Sequence, residues 1–354
     1  MIPYYLTYFF LVLKSLEETS LKNTFQKNSQ NLLILFFSIF IGFRTQVGCD
    51  WEQYIKLFEF IKSTSGKIYL PRVEPGFFFL NVVFMQWEYG YYLVNLICGI
   101  IFSFCLIKFC ATLPRPWLAL CIAFPYFIMV VSMGYTRQSV AIGISLLAIA
   151  ILEKGQFYKS VLLIILGSTF HRSGLFYLFA PFLYTLQSGR FNNFIKFLIT
   201  IPLVFYFIDV FVLSKFELFQ LSYLDQNMSS SGAFIRVFLL IIPSIIYLLN
   251  LKKFKSSDIY KKIFSVMAFT SFLALFALVA NFSSTAVDRL ALNLLPIQIV
   301  IASYVPNTGI FKISKFPWKI FIILIAFSVI SVWLIYAVHS FCWIPYKNIL
   351  VPFN

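Results

Sequence analysis

The sequence has few charged residues. They make up 12% of the 354 residues, whereas 60% are hydrophobic; a typical soluble domain carries about 25% charged residues. A soluble fold could not cover so much apolar surface. The composition therefore predicts an all-α polytopic transmembrane bundle, because membrane helices satisfy their own backbone hydrogen bonds. We expect residues 1–354 to form a single integral membrane domain.

Sequence motifs for metals and nucleotides are also lacking. The six cysteines include no CxxC pair, and there are only two histidines, so no metal site is indicated. No Walker-type glycine-rich loop is present, and no cofactor is expected. The net charge of +15 is not carried by a soluble module, which argues against nucleic acid as a partner. No internal repeat is evident, which disfavours transporters built from duplicated halves.

Apolar runs predict about 12 membrane crossings. They cover residues 2–13, 31–43, 87–109, 117–133, 137–153, 158–170, 172–187, 193–213, 233–250, 260–280, 288–304 and 317–338. The first run lacks a basic segment and a small-residue cleavage site, so we expect an anchor helix rather than a cleaved signal peptide. The stretch 74–86 does not fit as a further crossing, because it would invert every later loop. We expect a re-entrant or interfacial helix there, opened by Pro75.

Basic residues predict the orientation, because cytoplasmic loops carry an excess of them. The loops assigned to the cytoplasm are 14–30, 108–116, 154–159, 188–196, 251–262 and 305–319, with 251–262 the most basic. Residues 44–75 and 214–232 then become outer loops. Most arginines oppose this trend and fall on the outer side: Arg44, Arg72, Arg137, Arg172, Arg236 and Arg289. Arginine binds phosphate or carboxylate through two hydrogen bonds, so these residues indicate either an anion site or ion pairs with outer carboxylates.

Polar groups recur at the predicted outer helix ends. They are Arg44, Asp50, Trp51 and Tyr54 around Gly48, then Glu74, Arg137, His171 with Arg172, and Asp288 with Arg289. An arginine near the bilayer centre costs roughly 2.5–3.5 kcal/mol, so repeated clusters on one face favour a shared polar cavity. The alternatives are interfacial anchors, a packed histidine and a local pair between Asp288 and Arg289.

Five motifs in a fixed order resemble one known family. They are Arg44-x-x-x-Gly48-x-Asp50-x-x-x-Tyr54, Glu74-Pro75-Gly76-Phe77, Arg137-Gln138, Phe170-His171-Arg172-Ser173 and Pro345-Tyr346. Together they resemble the EpsG-like family of polysaccharide polymerases, which includes many Wzy-type O-antigen polymerases of lipopolysaccharide biosynthesis. The resemblance implies a glycosyltransferase in the bacterial inner membrane, acting at the periplasmic face. Its donor and acceptor would be oligosaccharide units on undecaprenyl diphosphate, and a chain-length regulator protein is a candidate partner.

The implied reaction assigns roles to the polar groups. A hydroxyl of one repeat unit attacks the anomeric carbon of the growing chain, and the diphosphate lipid leaves. The expected diphosphate- or substrate-binding residues are Arg44, Arg137, Arg172, Asp288 and Arg289. Asp50, Glu74 and His171 remain open as the general base. Trp51, Tyr54 and Tyr346 are expected to stack on sugar rings, and a metal-free mechanism is favoured.

Other membrane functions remain open at this point. An O-antigen ligase would need the same arginines and base, and a lipid-linked oligosaccharide flippase would handle the same substrate. A membrane acyltransferase is disfavoured, because His171 and His339 are the only histidines and His171 neighbours Arg and Ser. A further hypothesis joins Cys49 and Cys342 in a disulfide, since both fall on the predicted oxidising side. Small apolar packing is the alternative role for each cysteine.

Overall fold

The computed structural model describes residues 1–18, 25–68, 73–186, 191–208, 230 and 232–350. Helix makes up 79% of the structure, and the described residues contain no β-strand. Within the same residues, an isolated antiparallel bridge joins Arg44 to Asn348. The predicted all-α class is therefore confirmed.

Six of the described helices are long and apolar enough to cross a membrane. They are Gly90–Cys110, Pro116–Gly134, Thr136–Glu153, Asp258–Val279, Ser284–Asn307 and Lys315–Tyr336. The other predicted runs also form helices: Ile2–Glu17, Lys27–Gly42, Phe157–Ser168, Phe179–Thr185, Phe191–Ile208 and Ala233–Leu249. Each apolar run thus forms a helix, while the figure of about 12 crossings stays a prediction.

Two further helices lie between the second and third runs. The helix expected near 74–86 is present as Pro75–Phe84; it begins at a proline, whose fixed φ suits a first helical turn. The predicted outer loop 44–75 also contains an unpredicted helix, Trp51–Ser63. Its buried residues recur every three or four positions, so it packs one face inward and leaves a polar face outside. The predicted loop 214–232 lies outside the described residues, apart from Ser230 and Gly232.

Two consecutive helices form the centre of the bundle. In the most apolar 18-residue stretch of each helix, 89% of Pro116–Gly134 and 78% of Thr136–Glu153 is buried inside the protein. The corresponding share for Asp258–Val279 is 28%. The turn between the two central helices, at Tyr135, therefore lies at one end of the core. This turn positions the candidate site.

Polar contacts between helices gather at two opposite ends of the bundle. At one end, Arg115 and Lys319 both donate to the Glu18 carbonyl, at 3.0 and 2.6 Å. Arg115 also donates to Asn307, and Lys108 donates to Gln30. These residues all come from or adjoin the loops predicted to be cytoplasmic. The polar groups predicted to lie on the outer face meet at the other end, which we call the Asp50 end.

Candidate active site

Arg44 fixes the loop that carries Asp50. Its side chain is fully buried. The guanidinium donates to the carbonyls of Ile41 and Met133, at 2.6 and 3.0 Å, and to Thr136 Oγ1 at 2.8 Å. It also donates to the Val47 carbonyl. The side chain has no exposed surface, so the geometry favours a structural role for Arg44 over the predicted role in binding diphosphate: Arg44 fastens this loop to the central turn.

Gly48 and the disulfide fix the same loop from the other side. Gly48 has a φ of +96°, and a Cβ there would lie 2.3 Å from the Met133 carbonyl oxygen, so only glycine fits. Its N–H donates to the Cys342 carbonyl at 2.8 Å. Cys49 and Cys342 form the predicted disulfide, with Cα atoms 5.1 Å apart. Asp50 therefore follows two residues that are tied to the C-terminal segment.

We expect Arg44→Ala to unfold the protein rather than to weaken binding alone. The change leaves four buried acceptors without this donor, and each such loss costs about 1–3 kcal/mol, so the total exceeds about 3 kcal/mol. The recovery of monodisperse protein in detergent and its thermal melting should both fall. Arg172→Ala is the control, because the Arg172 side chain is 41% exposed. Equal recovery and melting temperature for Arg44→Ala and wild type would contradict the assignment.

Glu74 aligns two arginines. One carboxylate oxygen accepts from Arg137 at 2.8 Å; the other accepts from the backbone N–H of Arg172 at 3.3 Å and lies 3.8 Å from its side-chain Nε. The following residues dock on the same turn, since the Gly76 N–H donates to the Thr169 carbonyl at 2.8 Å. Both oxygens of Glu74 are thus engaged. The geometry favours a positioning role over the predicted role as general base.

The environment of the Asp50 carboxylate differs from that of Glu74. It is half-buried at the start of the helix Trp51–Ser63. No hydrogen bond reaches its side chain from the parts of the chain that the structure describes. Burial raises the pKa of the Asp50 carboxyl, and the positive charges of Arg289 and Arg137 act against that rise. A partly desolvated carboxylate that faces cations and has no donor of its own suits a general base.

Asp288 does not pair with its neighbour Arg289. It forms a bidentate pair with Arg236, with N–O distances of 2.8 and 2.7 Å, and it accepts from Ser230 at 3.0 Å. The alternative of a local pair between Asp288 and Arg289 is therefore not the one the structure has. The Asp288 carboxylate is engaged with Arg236 and Ser230, which disfavours its predicted role in binding substrate. Arg289 is exposed and forms no ion pair within the described ranges. Its backbone carbonyl accepts from Gln138 at 2.8 Å, which holds Arg289 beside Arg137.

The three aromatic residues expected to stack on sugars are packed inside the protein. Trp51 is 5% exposed and meets Tyr91 edge-on. Tyr54 is 8% exposed and packs against Phe77 and the Arg137 guanidinium. Tyr346 is 5% exposed, stacks on Phe40 at 4.6 Å and donates to its carbonyl. This burial favours a packing role for the three rings over the predicted role of stacking on sugars.

His171 caps the turn that carries Arg172. Its Nδ1 accepts from the backbone N–H of Ser173 at 3.2 Å, which begins the short 3-10 helix Arg172–Leu178. The hydroxyl of Ser173 lies 2.8 Å from the same nitrogen. Since Nδ1 is used for this cap, His171 is better suited to position Arg172 than to accept a substrate proton.

The sequence matches the family model described as the EpsG family over residues 28–348. The chain belongs to the EpsG family. No curated protein and no solved structure matches the sequence. The EpsG family is associated with polysaccharide polymerases of the glycosyltransferase type, so the chain is a polysaccharide-related membrane protein. The resemblance carried by the five ordered motifs is thereby confirmed.

The EpsG motifs meet at the Asp50 end of the bundle. Glu74 holds Arg137 and Arg172 there, and Arg137 and Arg289 lie within electrostatic reach of Asp50. Two residues had no role assigned from the sequence. Arg236 supplies the partner of Asp288, and Tyr135 lies within electrostatic reach of Asp50, Asp288, Arg236 and Arg289. The position of Tyr135 directly before the helix Thr136–Glu153, which carries Arg137, is the feature of the sequence that could have indicated Tyr135.

Proposed function

We propose that this EpsG-family protein is a Wzy-type polymerase. It joins undecaprenyl-diphosphate-linked oligosaccharide repeat units into O-antigen or a similar surface polysaccharide. The observation that carries the proposal is that a carboxylate and an arginine, both suited to this reaction, lie at the same end of the bundle. Asp50 has no hydrogen-bond donor among the described residues, and Arg289 faces it without an ion pair there.

In the proposed reaction, Asp50 takes the proton of the acceptor hydroxyl. The hydroxyl oxygen forms a bond to the anomeric carbon of the donor, while the bond from that carbon to the diphosphate oxygen breaks. The electron pair leaves with the lipid diphosphate. Arg289 and the half-exposed Arg172 stabilise its developing negative charge, and Glu74 keeps Arg137 and Arg172 in place. The products are the elongated glycan, the free lipid diphosphate and a protonated Asp50.

The proposed topology places the Asp50 end at the periplasmic face of the inner membrane. Besides the six long helices, each remaining apolar run would cross as a helix extended by its flanking residues, or as a tilted or broken helix, which gives about 12 crossings. Trp51–Ser63 and Pro75–Phe84 would lie at the outer interface. Lipid-linked glycan is then both donor and acceptor, and a chain-length regulator would meet the protein in the membrane.

The experiment that tests the function uses purified protein in vesicles with lipid-linked repeat units as the sole substrate. We expect lipid-linked oligomers of two or more repeats, resolved by gel electrophoresis and mass spectrometry. Transfer that occurs only after addition of lipid A core would identify a ligase instead. In cells, a deletion strain should make lipopolysaccharide capped with a single repeat. Loss of all periplasmic repeat units from that strain would identify a flippase.

A further inference from the structure

An apolar groove runs along one flank of the bundle. It has a volume of about 590 Å³ and lies between the helices Ala233–Leu249, Ser284–Asn307 and Lys315–Tyr336. Pro125 and Tyr126 of the central helix form part of its wall. The volume falls within the range of about 300–1,000 Å³ that is typical of ligand sites.

The groove is as long as the membrane is thick. Its lining on the last of these helices recurs every three or four residues from Trp318 to Tyr336, which corresponds to one helix face about 27 Å long. The hydrocarbon core of a bilayer is about 30 Å thick. The groove therefore suits a long apolar chain that follows the membrane depth, rather than a compact ligand.

One end of the groove reaches the candidate active site. Arg236 lines this end and pairs with Asp288, the neighbour of Arg289. His339 also lines it, and its carbonyl lies 4.0 Å from the sulfur of Cys49, the residue before Asp50. The opposite end, near Trp318 and Val305, is lined by apolar side chains. The groove thus runs from an apolar end to residues that adjoin the Asp50 end of the bundle.

We propose that this groove binds the isoprenoid chain of the lipid-linked donor, with the diphosphate at the end beside Arg289. The inference rests on the proposed function. An apolar groove of about 590 Å³ that follows one helix face for about 27 Å suits a one-chain amphiphile. A glycerophospholipid carries two acyl chains beneath one headgroup. The arrangement would present the bond between sugar and diphosphate to Asp50 while the chain holds the donor in register.

The test uses a photoreactive polyprenyl diphosphate that carries a diazirine at the far end of its isoprenoid chain and has no sugar. The protein is labelled in nanodiscs, and the adducts are mapped by mass spectrometry. We expect adducts on Lys315–Tyr336 and Ala233–Leu249. Ile325→Trp fills the groove and should lower labelling about tenfold, since even two displaced methylenes cost that much. Leu324→Trp is the matched control, because Leu324 is 56% exposed and does not line the groove.

Two results would overturn the groove assignment. One is equal labelling of Ile325→Trp and wild type. The other is competition by phosphatidylglycerol as effective as competition by unlabelled polyprenyl phosphate. The sugar-free probe also separates this inference from the proposed function, because labelling needs no polymerisation. Labelling in the groove without polymer synthesis would support the lipid site and contradict the polymerase function. Polymer synthesis with adducts elsewhere would support the function and contradict the lipid site.

Discussion

Asp50→Asn should abolish long polysaccharide chains while the protein remains folded. A positioned general base contributes about 10²–10⁴-fold in rate, and asparagine cannot accept the proton. The measurement is the number of repeats added per minute to lipid-linked substrate in vesicles, with the lipopolysaccharide ladder as the readout in cells. Asp50→Glu should recover part of the activity, because it keeps the carboxylate on a longer side chain.

Protein stability separates this explanation from a structural role for Asp50. Burial raises the pKa of the Asp50 carboxyl, so its charged form is disfavoured in the folded protein relative to the unfolded chain. Above the ordinary pKa of an aspartate, this charge therefore lowers the free energy of unfolding, and the penalty disappears as protonation occurs at lower pH. Asp50→Asn removes the penalty, so its melting temperature at neutral pH should equal or exceed that of the wild type.

Glu74→Gln is the control for Asp50→Asn. Glu74→Gln removes the carboxylate that pairs with Arg137 and accepts from the backbone N–H of Arg172. The replacement should therefore lower the melting temperature. Because the two arginines would then be misplaced, its activity should also fall, but together with stability. A normal ladder from Asp50→Asn, with loss only in Glu74→Gln, would transfer the base to Glu74.

The sequence predicts the helices well because lipid imposes a simple requirement. Each apolar run must satisfy its backbone internally, so each run forms a helix. The helix Trp51–Ser63 escapes this pattern because its outer face carries Glu52, Lys56 and Glu59, and the segment is not apolar as a whole. The polar residues assigned to the outer face also lie together at one end of the bundle, and those assigned to the cytoplasmic face lie together at the other end.

The roles of individual arginines could not be predicted in this way. Arg44 and Arg289 are the same residue type at the same predicted face, yet Arg44 is buried among backbone carbonyls and Arg289 is exposed. The pairing of Asp288 with Arg236 joins residues 52 positions apart, which spacing along the sequence does not encode. Position along the chain indicates which end of the bundle a residue occupies. Its neighbours there depend on how the helices pack.

Arg289→Lys should lower polymer synthesis by roughly 10–100-fold at normal protein level. Lysine keeps the positive charge near Asp50 but loses the planar fork that gives two hydrogen bonds to a diphosphate. Removal of one preorganised donor from a developing anion costs about 10²–10³-fold, and the retained charge recovers part of that loss. The same replacement at Arg137 and Arg172 should also lower activity, with smaller effects because Glu74 contacts both residues.

The control for Arg289→Lys is Arg236→Lys. Arg236 is bound to Asp288 by two hydrogen bonds, so its replacement should lower the melting temperature before it lowers the rate per folded molecule. Arg289 has no such partner in the described part of the chain, and its replacement should leave the melting temperature unchanged. Rates are therefore compared per folded molecule, after size-exclusion chromatography. A full-length ladder and a wild-type rate from Arg289→Lys would refute diphosphate binding by this residue and leave its exposed position at the Asp50 end without a catalytic role.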